Sequence, residues 1–127
     1  MWIKYGVSVD TDILYPILAE ARVFKSDGEI EVMRKCTEAA SEGHVLMMKH
    51  CKPGILESAL SAKFRCHAYE NYNMRHLPYG NIVGSGSNAA TLHYHELDKV
   101  IEPNELVLLD LGTQVQNTKI SKNINKI

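Results

Sequence analysis

The sequence predicts an α+β domain, with helical patterning in its first half and strand patterning in its second. Three observations carry this expectation. Ser26-Asp-Gly-Glu29 has the spacing of a capping box and stands ahead of an amphipathic stretch. A second apolar stripe, Leu56, Leu60, Phe64 and Ala68, recurs every four residues. The run Leu106-Val-Leu-Leu-Asp-Leu-Gly112 then reads as a buried strand that delivers a single carboxylate.

Residues 1–25 read as irregular or extended, because Pro16 interrupts Ile13-Leu-Tyr-Pro-Ile-Leu18 and opposes a continuous helix there. From the capping box a helix is expected over about 28–50. Ile30, Met33, Ala40, His44, Met47 and Met48 form its stripe, which Ala39 and Val45 widen, and Pro53-Gly54 ends it. A second helix should span about 57–71, and the Pro-Gly turn between the two suggests an antiparallel pair. Asn81-Ile-Val-Gly84 reads as a short strand, Gly84-Ser-Gly-Ser-Asn88 as a turn and Leu92-His-Tyr-His95 as extended. A polar connection, 97–105, leads to the strand Glu105–Leu111, and the Asn- and Lys-rich end of the chain could extend that strand briefly but is expected to fray.

At 127 residues there is room for one domain, and a hydrophobic content of 45% with 23% charged residues is ordinary for a globular chain. The net charge of -1 gives no global field toward nucleic acid or membrane, so neither is expected as a partner. No apolar run approaches the ~20 residues of a membrane span, and the first ten residues lack a signal-peptide core. The 3 cysteines form no C-x-x-C pair, so reduced thiols and a cytoplasmic setting are expected. The charge is unevenly placed. No acidic residue follows Asp110, whereas Lys119, Lys122 and Lys126 all stand in the closing segment.

Several motifs fail on their physics. Gly84-Ser-Gly-Ser-Asn-Ala89 fits G-x-G-x-x-A, but no helix-length pattern opens after it to meet a pyrophosphate, so a hairpin turn using glycine for positive φ is the better reading. His95-Glu-Leu-Asp-Lys99 begins like H-E-x-x-H and ends in Lys, which removes the second histidine of a zinc helix. His93 and His95 would share a face if extended, yet two ligands without a third make a weak metal site, and a surface pair is the simpler reading. His44, His50 and His67 fall on the expected helices and need no function. Asp110 alone can also simply cap a turn before Gly112. No catalytic triad can be argued, so no residue is assigned as catalytic.

Taken together the pieces resemble one family, the prolidases (Xaa-Pro dipeptidases). Arg22-Val-Phe-Lys-Ser-Asp-Gly-Glu-Ile-Glu-Val-Met-Arg34 is similar to the segment that enters their catalytic domain. Met74-Arg-His-Leu-Pro-Tyr79, Gly84-Ser-Gly-Ser-Asn88 and Leu92-His-Tyr-His95 are similar to the substrate side of the cleft, and Leu108-Leu-Asp-Leu-Gly112 to the first metal-binding strand. The resemblance implies a partial pita-bread fold, two antiparallel helices packed on a short antiparallel sheet. It implies a linker over 1–25, the N-terminal half of a pita-bread catalytic domain over 26–113 and a divergent polar tail over 114–127. The family hydrolyses dipeptides ending in proline with two divalent metals, commonly manganese, that activate a bridging water. By resemblance Asp110 matches the first metal-ligating Asp, and His93 matches a histidine that contacts substrate. The second Asp should follow about a hairpin later, where Ile120-Ser-Lys122 stands, and the remaining His and two Glu ligands would lie downstream. These departures imply a truncated chain that is inactive alone and holds no metal cofactor of its own, the small peptide substrate belonging to the complete family. The alternative is a non-catalytic pita-bread remnant whose open sheet edges favour a homo-oligomer or another partner.

Overall fold

The computed structural model describes residues 10–115 together with the backbone of 118–124. The chain divides into two compact units, one ending at Glu31 and one beginning at Val32. The elements in order are α1 (Leu14–Ala21), α2 (Asp27–His50), α3 (Glu57–Tyr72), β1 (Ile82–Ser85), a 3₁₀ helix (Gly86–Ala90), β2 (Val107–Val115) and β3 (Thr118–Ile124). None of the helices among the described residues is long and apolar enough to cross a membrane.

In the first unit, α1 replaces the irregular segment expected on account of Pro16. Pro16 falls in the first turn of the helix, where its missing N–H has no intrahelical acceptor to lose. Asp10 Oδ1 accepts the amides of Asp12 and Ile13 at 2.9 and 3.2 Å just ahead of it. The capping box forms as expected: Ser26 N–H and Oγ both donate to Glu29 Oε2 at 2.8 Å, and Glu29 N–H donates to Ser26 Oγ at 3.4 Å. The Ser26 amide and hydroxyl hold the Glu29 carboxyl below the usual carboxylate range.

In the second unit the buried face of α2 is Cys36, Ala39, Ala40, Gly43, His44 and Met47, a run at helical spacing. Val45 and Met48, expected on the stripe, are about half exposed. The small residues in this run set how close α3 can come. A Cβ on Gly43 would lie 2.6 Å from the Phe64 ring, so Gly43 is what lets the ring sit on α2. The His44 ring meets Phe64 edge-on at 5.7 Å, and its Nδ1–H donates to the Ala40 carbonyl at 2.7 Å. The face of α3 is Glu57, Leu60, Ser61, Phe64 and Ala68, and the helix ends on Asn73 in the left-handed conformation (φ 53°), whose N–H reaches the Ala68 and Tyr69 carbonyls.

The three strands form one antiparallel sheet in the order β1-β2-β3. Met47, Leu60 and Phe64 from the helices pack with Val83, Leu109 and Leu111 from the sheet, and Thr113 Oγ1 donates to the Cys36 carbonyl at 2.8 Å. Helices packed on a short antiparallel sheet are the expected α+β arrangement. Residues 97–101, part of the expected polar connection, run back along the turn into α3: Gly54 N–H donates to Ile101 O, Ile101 N–H to Ile55 O and Glu57 N–H to Lys99 O. Three local expectations fail. Gly84–Asn88 is the end of β1 followed by the 3₁₀ helix, not a hairpin turn. His93 has φ 54°, so 92–95 is not extended. Residues 118–124, expected to fray, return as β3 against β2.

Substituting Gly43→Ala should force the Phe64 ring off α2 and lower stability by about 1–3 kcal/mol. Equilibrium urea unfolding checks this; an unchanged midpoint would show that the close approach of the two helices is not needed.

Candidate functional site

Period-two alternation gives β2 two chemistries. Val107, Leu109 and Leu111 are buried against the helices, while Leu108 and Asp110 alternate to the other face. There they line a cleft of about 370 Å³ with Ile82, the 3₁₀ segment and His93. Asp110 lies within the strand, opposite Ile82 on β1, so it is not the turn cap that its position before Gly112 allowed.

Gly112 continues the Asp110 row, and its missing side chain is used. A Cβ there would lie 2.9 Å from Pro78 Cγ and 3.0–3.1 Å from the ring and hydroxyl of Tyr79. Tyr79 can therefore lie over the strand, and its hydroxyl donates to Asp110 Oδ1 at 2.5 Å. A charged acceptor makes this a strong bond, and it fixes the carboxylate's direction.

The far wall of the cleft is held by a buried acid. Glu57, the first residue of α3, is fully buried. Its Oε1 accepts Ser85 N–H at 2.6 Å, Ser85 Oγ at 2.8 Å and Asn88 Nδ2 at 3.4 Å; its Oε2 accepts the Tyr94 hydroxyl at 2.8 Å and Lys99 N–H at 3.4 Å. Burial opposes ionisation of Glu57, but the donors from Ser85, Tyr94 and Asn88 outweigh it and hold the carboxyl below its usual range. Burial and the adjoining Glu57 charge push the Tyr94 hydroxyl up to about 12. Lys99 pairs with Glu105 beside this network and lowers the Glu105 carboxyl. The network joins α3, the end of β1, the 3₁₀ helix and the segment carrying His93.

The two residues singled out for the site, His93 and Asp110, thus line one cleft. His95 does not join them; its ring lies beside Gly80. Tyr79 and Glu57 carry the local geometry, and the sequence assigned neither a role of its own: Tyr79 stood only as the end of the Met74–Tyr79 motif and Glu57 only near a helix start. A buried acid at a helix start looks like any first-turn Glu, and Tyr79 contacts a residue thirty-one positions away. Among the described residues no group of three or more His, Cys, Asp or Glu is placed to hold a metal. Strand β3 sets Asn123 opposite Asp110 and Ser121 opposite Gly112, and 118–124 contains no acid. Asp110 with a tyrosine partner does not by itself fit a two-metal centre, which needs several oxygen ligands.

Replacing Tyr79 by Phe should cost about 1–2 kcal/mol, the worth of a hydrogen bond to a charged group that is part-exposed. Gly112→Ala should cost more, because it displaces the whole ring. Urea melts of the two variants decide this; a Gly112→Ala protein as stable as the parent would refute the close approach.

Comparison with known proteins bears on this geometry. Residues 31–121 match metallopeptidase family M24. The chain is 40% identical over 108 residues to the Xaa-Pro dipeptidase of Homo sapiens, covering 82% of this chain and 22% of that protein. It is 36% identical over 99 residues to the Xaa-Pro aminopeptidase of Escherichia coli, covering 78% and 22%. The solved structure of zinc-substituted Escherichia coli aminopeptidase P with product superposes with a TM-score of 0.78 at 33% identity, over 84% of this chain and 24% of that one. The 127 residues therefore span about a fifth of the length of the curated relatives they match.

Proposed function

The chain belongs to metallopeptidase family M24, and from that premise we propose that it supplies the substrate-side wall and one metal-facing carboxylate of a pita-bread Xaa-Pro peptidase. The observation that carries this reading is Asp110, set on the cleft face of β2 and aimed by Tyr79. Asp110 is assigned to a divalent metal, manganese by the family resemblance, and His93 to contact with a small peptide substrate. The higher identity to the dipeptidase favours dipeptides ending in proline. The residues present supply one carboxylate to this cleft, so these 127 residues alone are assigned no turnover.

A second reading is favoured by the sheet. With β1 and β3 as its edge strands among the described residues, strand pairing can join copies of the chain into a homo-oligomer. The free thiols of Cys36, Cys51 and Cys66 favour a reducing, cytoplasmic setting.

Titration of Mn²⁺ followed by paramagnetic broadening of NMR signals, with Gly-Pro hydrolysis measured in parallel, tests the first reading. Weak broadening confined to Ile82, Leu108 and His93, abolished by Asp110→Asn, with no hydrolysis, is the expected result. Broadening elsewhere with the cleft untouched would remove Asp110 from its assigned role. Two tight sites with turnover would overturn the assignment of inactivity.

A further inference from the structure

A second cleft, of about 320 Å³, shares no lining residue with the first. Lys35 of α2, Tyr72 and Asn73 at the end of α3, Arg75 and His76 beyond it, and Gln114 of β2 line it. Three of these six side chains are basic and none of the described lining residues is acidic. Lys35 and Arg75 bring two formal positive charges to the cleft itself, while the carboxylates of Glu42 and Glu38 act on Tyr72 at its wall.

The cleft also has an oriented donor. Asn73 is fixed by its left-handed cap, and its Oδ1 accepts Arg75 Nε–H at 3.4 Å. With Nε engaged, the two Nη groups present the parallel N–H pair that matches two oxygens of one anion. Lys35 adds a point charge. The Tyr72 hydroxyl is given to Glu42, which pushes it up to about 12, so Tyr72 contributes its ring as a wall.

We propose that the cleft of Lys35, Arg75, His76 and Gln114 binds a small dianionic oxyanion of the phosphate class. Its volume leaves room for a phosphate with a small organic group. More than one cation faces it, so a dianion gains over a monocarboxylate.

The test is titration of inorganic phosphate into the whole chain at low ionic strength, read by amide NMR shifts at Asn73, Arg75, His76 and Gln114. Saturable shifts are expected, weakening as salt rises because the charges are exposed. Arg75→Ala should weaken binding about tenfold or more, as expected for loss of a bidentate charged pair. Arg75→Lys, which keeps the charge but loses the fork, should fall between. Lys49→Ala removes the same charge outside this cleft and should leave binding unchanged. Both positions are on the surface, and far-ultraviolet circular dichroism confirms that each of the three variants is folded. Shifts that grow without saturation, or an equal loss in Lys49→Ala, would overturn the site. Acetate binding as tightly as phosphate would overturn the choice of a dianion.

Discussion

The Glu57 carboxylate is the constraint on which the rest of the second unit depends. A buried charge with no partner costs far more than a domain of this size can sustain, so the acid must bring its donors with it. It takes them from three separate places in the chain: Ser85 at the end of β1, Asn88 in the 3₁₀ helix and Tyr94 with Lys99 in the segment beyond. The 3₁₀ helix buries no residue, and His93 is exposed and left-handed. A shared acceptor is what holds them as one wall. The same carboxylate stands at the N-terminus of α3, where the helix dipole favours negative charge.

The opposite wall follows from strand geometry. One face of β2 closes the core and the other carries Asp110, so burial of Leu109 and Leu111 determines where the carboxylate points. Gly112 leaves room for the Tyr79 ring, and the Tyr79 hydroxyl fixes that direction with a hydrogen bond. The site is therefore built from core packing on one side and a buried polar network on the other. The membership in metallopeptidase family M24 fits both: residues 31–121 that match the family contain Glu57, Tyr79, His93, Asp110 and Gly112 together.

Much of this was legible from local patterns. The capping box Ser26/Glu29, the helix ends near His50 and Tyr72 and the strand through Asp110 are all set by residues close in sequence, so spacing reveals them. What spacing concealed was tertiary. Pro16 reads as a helix breaker unless its place in the first turn is known. The Asn- and Lys-rich end reads as polar until β2 offers it a ladder of backbone partners. Gly43 and Gly112 read as ordinary glycines, because the Phe64 and Tyr79 rings that need their space lie far along the chain. The roles given to His93 and Asp110 came through family resemblance, and the cleft that joins them came only from the fold.

The most direct test of this account is the unfolding free energy, by urea, across a series of pH values for the protein and for Glu57→Gln. The folded carboxyl lies below its ordinary value of 4.5, so its contribution is complete above that pH. It is lost as pH falls from there through the folded pKa. The account predicts a parent markedly more stable than the variant at neutral pH, with the difference shrinking below about pH 4.5. Glu29 and Glu105 titrate alike in both proteins and cancel in the difference. Two curves that run parallel through the acid range would contradict it, because Glu57 would then not be the ionised acceptor that ties the cleft together.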